Sequence, residues 1–244
     1  MTISYAPLRL GLLCAACLYG GETLAQAAVN PPPSVEISYK VRAKRGFMSL
    51  NGVAQTVWRL QEKTFTLQNI ARASFFGVLQ ETGSEGDWAD NGLAPTRFTE
   101  RRFRKDTTVT LLDHAQKKIS FSEGAPSLTL RPGTQDRASV IWQIAALARA
   151  QPEKFTPNSH WNFVVAGRRD TDQWRFTVQG RETIQTGLGA LNALHLVKAP
   201  PPSVQEQQVD IWLAPEQEWY PVQIRLREPD GDFVEQVVDK ITKK

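Results

Sequence analysis

The chain has 244 residues, 41% of them hydrophobic, and its 29 basic and 25 acidic side chains leave a net charge of +4. That length can bury one sizeable core and suits a single domain. A charge this mild permits contact with anionic lipids or polymers without demanding it, and it gives little footing to a nucleic-acid-binding arm.

The first segment addresses the protein for export. Arg9 is followed by the apolar run "LGLLCAACLY" and then by "GGETLAQAA". A short apolar region behind a basic residue, closed by a small-residue site, is the secretory pattern, and the run is too short to cross a bilayer as a helix. Ala25-Gln26-Ala27 fits the cleavage site, which predicts a signal peptide over 1–27 and a β-rich domain over 28–244. A buried N-terminal helix is the plainer alternative, opposed by the absence of a cap and by the "VNPPPS" that follows at once. A second export route is lipidation at Cys17 in "CAAC", although Cys14 stands where leucine is usual. Both cysteines leave with a signal cut after Ala27, so the mature chain would have no disulfide and no thiolate for catalysis or metal. No later segment is apolar enough to form a transmembrane helix.

Strands follow one another after residue 34. "VEISYKVRAK" alternates Val35, Ile37, Tyr39 and Val41 with Glu36, Ser38, Lys40 and Arg42, a period that only an extended strand turns into a face. "VAQTVWRL", "TFTLQNIARASFFGVLQ", "TTVTLL", "KKISF", "SLTL", "WNFVVAG", "QWRFTVQG", "ALHLVKA", "VDIWLA", "YPVQIRLRE" and "DFVEQVV" continue in the same β-branched and aromatic vocabulary. "DNGLAP", "GRRDTDQ" and "EPDGD" read as the turns of antiparallel hairpins.

One segment breaks the pattern. From Asp136 to Ala150, Val140, Ile141, Ile144, Leu147 and Ala148 recur at spacings of three and four, one apolar stripe of a helix. Asp136 places an anion at its start, and Pro152 ends it. A lone amphipathic helix among a dozen strands needs a curved sheet to lie against. The expected fold is therefore mainly β: a curved antiparallel sheet forming a barrel or open half-barrel around one helix at about 136–150.

"GLAPTRFTERRFR", "QDRASVIWQIA", "WRFTVQGRETI" and "VDIWLAPEQEWYPVQIRLREPDGD", in this order, resemble an exported bacterial family known as domain of unknown function three-one-zero-eight, common in Gram-negative bacteria. The resemblance covers nearly the whole mature chain and implies an exported, β-rich protein. It supplies no catalytic residues to carry over. A looser similarity of architecture, a curved sheet cupping a helix, points to the periplasmic lipoprotein carriers, and such fold-level analogy says little about function.

The stretch "RFTERRFRKD" carries five basic side chains in ten positions. On a strand, Arg97, Thr99, Arg101, Phe103 and Lys105 share one face, and Phe98, Glu100, Arg102 and Arg104 share the other. Paired with acids on neighbouring strands, it is an ordinary solvated edge. A sharper reading turns Glu100, Arg102 and Arg104 towards Asp136 and Arg137 at the helix start, where the arginines could hold a carboxylate or phosphate headgroup. With Trp142 on the helix, these form the candidate ligand site.

Enzyme signatures are missing. His114, His160 and His195 are scattered rather than paired as metal ligands, and His195 in "ALHLVK" reads as a neutral strand histidine. "EPDGD" lacks the further carboxylates of a calcium loop. "TGLGAL" has no phosphate-loop lysine, and no serine occupies a nucleophile elbow. A carboxylate pair assembled by folding could still cleave a glycosidic bond. All seven tryptophans lie beyond the signal, and core packing accounts for most of them, though an aromatic barrel mouth also suits an amphiphile. The expectation is a periplasmic, non-enzymatic protein that needs no metal or cofactor. It would bind an apolar or amphiphilic ligand, such as a lipid, or an envelope component, and no nucleic acid. The alternatives are a structural or assembly partner protein of the cell envelope and a hydrolase of an envelope polymer. A large apolar cavity would favour the binder, a filled interior with an exposed apolar patch the partner, and a cleft with facing carboxylates the hydrolase.

Overall fold

The computed structural model describes residues 29–73, 77–89, 91–200 and 204–244. The expected signal segment, the expected cleavage site after Ala27 and Cys17 lie outside the described residues. Five long strands come first: β1 (Val35–Arg45), β2 (Met48–Leu60), β3 (Thr64–Ala73), β4 (Gly77–Ala89) and β5 (Gly92–Arg102). Three shorter ones follow, β6 (Thr108–Asp113), β7 (Lys118–Phe121) and β8 (Leu128–Thr129). A two-residue strand, β9 (Gln135–Asp136), leads into the helix α1 (Ser139–Ala150). The chain closes with β10 (His160–Ala166), β11 (Thr171–Thr186), β12 (Gly189–Lys198), β13 (Gln208–Ala214), β14 (Tyr220–Arg227) and β15 (Phe233–Lys243).

All fifteen strands belong to one sheet, which runs from β8 back to β1, crosses to β15 and returns to β9. Every neighbouring pair is antiparallel except β9 on β10. The period of two in the first strand is realised: Val35, Ile37, Tyr39 and Val41 are buried while Ser38, Lys40 and Arg42 are exposed. The edge strands β8 and β9 do not pair, so the sheet is an open half-barrel and not a closed barrel.

Two local expectations are corrected. "TFTLQNIARASFFGVLQ" is not one strand but two, β3 and β4, paired antiparallel from Thr64↔Asp87 to Ala73↔Gly77. An unbroken β-branched and aromatic run hides its own turn, and residues 74–76 lie outside the described residues. The helix begins at Ser139 rather than Asp136, because Gln135 and Asp136 pair with Val165 and Ala166 of β10. Asp136 still governs the helix start. Its Oδ1 accepts the backbone N–H groups of Ala138 and Ser139, both at 2.8 Å, and Ser139 Oγ accepts the Asp136 N–H at 2.9 Å. This is a reciprocal capping box built from Asp and Ser.

The helix is enclosed, not laid on a surface. Val140, Ile144, Leu147 and Ala148 of the expected stripe are buried, but so are Trp142, Gln143, Ala145 and Ala146 on the other side. Only Ile141 of the stripe is partly open. The first face packs against Phe176, Leu196 and Ile211 of β11 to β13. On the second, Trp142 packs against Trp58 and Tyr220. The segment that leads into β1 closes the remaining side: Asn30 donates its N–H to Ala146 O at 3.0 Å, and Trp58 Nε1 donates to Pro32 O at 2.8 Å. Trp142 stacks on Trp58 with ring centroids 4.4 Å apart, and Trp58 stacks in turn on Phe65 at 5.5 Å. The concave side of the sheet is filled.

Candidate functional site

The six residues singled out from sequence do not converge. Asp136 is wholly buried and its Oδ2 accepts a hydrogen bond from Ser84 Oγ of β4 at 2.5 Å, not from an arginine. Burial pushes its carboxyl up to about 6, against the pull of the hydrogen bonds from Ser84, Ser139 and Ala138. Arg137 turns the other way, towards Asp172 at 3.6 Å and Asp170 at 4.0 Å in the turn after β10. Trp142 is 2% exposed and part of the aromatic column inside the sheet.

Strand β5 explains the other three. Arg97 and Arg101 face Glu85 and Glu81 of β4, at 4.0 and 2.6 Å, as on an ordinary solvated strand. On the opposite face Phe98 and Glu100 are buried, and Glu100 Oε1 accepts hydrogen bonds from Arg102 Nε at 2.5 Å and Gln80 Nε2 at 3.1 Å. The strand stops at Arg102. Arg104 falls in the following turn with φ +55°, its guanidinium 4.9 Å above the Phe103 ring, and is exposed. The expected cluster of Glu100, Arg102 and Arg104 with Asp136 is thus divided: Glu100 holds Arg102, and Asp136 holds the helix and Ser84. Arg102 instead joins a neighbouring group. The Glu123 carboxyl is held below its usual range by hydrogen bonding from Arg169, then by the charges of Arg168, Arg169 and Arg102.

The region around the helix start works as a polar seam across the open sheet. Gln135 Nε2 donates to Leu93 O at 2.7 Å, and Leu93 N donates to Gln143 Oε1 at 2.8 Å. Gly92 makes this possible. A Cβ there would stand 2.3 Å from the Gln143 amide nitrogen, and its φ of +111° is one that side chains disfavour. These bonds consume the free edge of β5 before Arg97, since β6 pairs with β5 only over Arg97–Glu100.

Where β6 parts from β5, a surface groove opens. It has a volume of about 680 Å³ and is lined by Ala94, Thr96 and exposed Leu111 together with the polar Asp87, Asp113, His114 and Lys118. Leu111 is 45% exposed although it sits mid-strand. His114 is fixed to the edge by a 2.9 Å hydrogen bond between its Nε2 and Pro95 O. A second hollow, of about 160 Å³ beside Glu81 and Arg101, is smaller and polar-walled. Sequence reasoning passed over the larger groove. Its only trace in the sequence was "LLDH", where two adjacent leucines must point to opposite faces of a strand.

His195, read from sequence as a neutral strand histidine, stands in a partly buried polar group with two carboxylates. His195 stacks on Trp212 at 4.2 Å, its Nε2 3.0 Å from Asp210 Oδ1 and its Nδ1 3.3 Å from Glu182 Oε1. Burial raises the Asp210 carboxyl, but hydrogen bonds from His195 and Gln208 outweigh it and leave it below the usual range. The two acids bind different nitrogens of the ring, and no group of three metal-ligating side chains occurs among the described residues. No helix among the described residues is long and apolar enough to cross a membrane.

No curated protein matches the chain significantly. Among solved structures it is similar to a Bacteroides fragilis protein described as exported and of YmcC-like fold. The two share 12% identity over 89% of this chain and 100% of the other, with a TM-score of 0.35. It is also similar to a DUF1329 family protein from Desulfovibrio piger, with 8% identity over 87% of this chain and 86% of the other and a TM-score of 0.30. A family model matches residues 35–238, which span the sheet from β1 to β15, and the chain belongs to the protein family of unknown function DUF3108.

Proposed function

We propose that this chain is exported to the periplasm through a signal peptide cleaved after Ala27 and binds an apolar or amphiphilic envelope component without chemically altering it. The binding surface in this reading is the groove between β5 and β6, not the concave side of the sheet. The filled interior, occupied by α1 and the Trp142–Trp58–Phe65 column, supplies none of the large apolar cavity expected of a binder. The observation that carries the reading is instead the surface groove with exposed Leu111. An amphiphile site joins apolar lining to a few placed polar groups; here Ala94 and Leu111 supply the apolar part, and His114 and Lys118 the polar groups. Lys118 would meet an anionic head.

The groove also contains Asp87 and Asp113, which bear on the hydrolase alternative. A glycosidase acid needs a desolvated carboxyl kept protonated near neutral pH. Asp87 is exposed, and Asp113 Oδ1 already accepts the Gln116 N–H at 2.8 Å. Binding is the better-supported reading.

The test is native mass spectrometry of the protein purified from its own periplasm. The wild-type chain should carry a non-covalent adduct, and Leu111→Glu, at a position exposed enough to accept a charge, should lose it. An adduct retained in full by Leu111→Glu would reject the groove.

A further inference from the structure

We infer that the tip of the β1–β2 hairpin is a membrane-docking element that inserts Phe47 and Met48 into an anionic lipid surface. The inference rests on the envelope location proposed above, but not on the groove or its ligand. Arg45 pairs with Met48, so Gly46 and Phe47 form a two-residue loop. Gly46 has φ +55° and Phe47 does not share a positive φ, the pattern of a type II′ turn with glycine at its first central position. The tip is held in place: Gly46 N donates to Asp232 Oδ1 at 2.7 Å, and Asp232 N donates to Asp230 Oδ1 at 3.0 Å. Phe47 is nevertheless fully exposed and Met48 is 61% exposed, the two largest exposures among the apolar side chains described. A turn held by a hydrogen bond from its backbone thus presents a phenyl ring in full and a thioether in large part to solvent.

The charges around the tip choose the partner. Lys40 is paired with Asp239 and Arg42 with Glu235, but Lys44 and Arg45, the last two residues of β1 before the turn, make no ion pair among the described residues. Cations flanking aromatic and apolar side chains are the arrangement of an interfacial anchor, with the rings at the acyl boundary and the charges among the phosphates. Size argues against a protein partner. Burying two side chains removes roughly 150–250 Å² each, well below the roughly 800 Å² per partner of a stable protein interface. The adjoining Ser49 and Asn51 are polar and exposed, and beside Lys44 and Ala43 the apolar Phe233 and Val234 of β15 are only partly exposed. A bilayer accepts two side chains where a protein surface needs twenty. Because Asp230 and Asp232 lie in the adjacent turn, the cationic pull is modest and apolar insertion supplies most of the affinity.

The experiment is co-sedimentation of the mature protein with vesicles of phosphatidylglycerol and phosphatidylcholine, compared with phosphatidylcholine alone. The wild-type chain should bind the mixed vesicles. The double variant Phe47→Ser, Met48→Ser should bind at least about tenfold more weakly. Lys44→Glu with Arg45→Glu should abolish the preference for the anionic vesicles. All four positions are exposed, so circular dichroism should show both variants folded. A wild-type chain that ignores both vesicles would overturn the inference, as would a serine variant that binds as well as wild type. Loss of a co-purifying protein from the serine variant, without vesicle binding by the wild type, would replace the bilayer with a protein partner. None of these results bears on the adduct measured for Leu111→Glu.

Discussion

Ser84 of β4 and Asp136 at the start of α1, fifty-two positions apart, meet at 2.5 Å inside the protein, and Asp136 simultaneously caps the helix. One carboxylate therefore joins the helix to the far side of the open sheet. Because burial raises its folded pKa to about 6 from an ordinary 3.8, its linkage to stability has a definite sign. The folded state binds the proton more tightly than the unfolded chain, so this group's contribution is fully present below about pH 4 and is lost as pH rises to about 6. The loss amounts to up to about 3 kcal/mol. Denaturant melts at stepped pH should show that decline in wild type, and Asp136→Asn should flatten it.

Glu235 gives the opposite signature. Its carboxyl is 2% exposed and bonded to Arg42, Arg225 and Gln223 across three strands. Burial raises its pKa, but the hydrogen bonds from Arg42 and Arg225 prevail and leave it lowered. Stability from Glu235 is therefore present above the ordinary glutamate pKa and lost as pH falls through the lowered one. The same stepped-pH melts on Glu235→Gln should lose stability at neutral pH and lose less than wild type on acidification.

Packing of α1 sets a mutational hierarchy. Ile144→Ala removes a side chain with no exposure and should cost about 2–5 kcal/mol, and Trp142→Ala about 3–5 kcal/mol, through the cavities left behind. Arg149, off the apolar stripe, bonds Asn30 and, at 2.9 Å, Glu218, pinning the segment before β1 to the helix end. At 24% exposure the pair is partly screened, and Arg149→Ala should cost under about 1 kcal/mol. Equal urea midpoints for Ile144→Ala and Arg149→Ala would contradict the enclosure of the helix.

On β5, Arg102→Ala should destabilise and Arg104→Ala should not. Arg102 supplies the charged partner of buried Glu100, whereas Arg104 stands in an exposed turn. The loss at Arg102 should be about 1–3 kcal/mol, the cost of under-satisfying a buried acceptor. Thermal melts of the two single variants decide it.

The contrast between these two arginines shows what the sequence could tell. Alternation in "VEISYKVRAK" and the three-four spacing of Val140, Ile144 and Leu147 are local periodicities, and the strands and helix they imply are present. Where β5 ends is not periodic information. The strand stops at Arg102 because Arg104 takes a left-handed turn, and this separates residues that a continued strand would align. The Asp136 partner was illegible for a different reason: a buried carboxylate can be met by a serine hydroxyl as well as by an arginine, and no spacing announces Ser84. The groove is illegible for a third. It arises where β6 leaves β5, from a pairing that ends at Arg97 and Leu111 and not from any motif.

The central claim is that the interior is filled and that the amphiphile lies in the groove between β5 and β6. Crystals grown with a terminally brominated fatty acid test it most directly, because anomalous scattering locates the bromine without reference to the protein. The account predicts a bromine peak over Leu111 and Ala94, with Trp142 still stacked on Trp58. A peak between α1 and the concave face, with that stack opened, would contradict it.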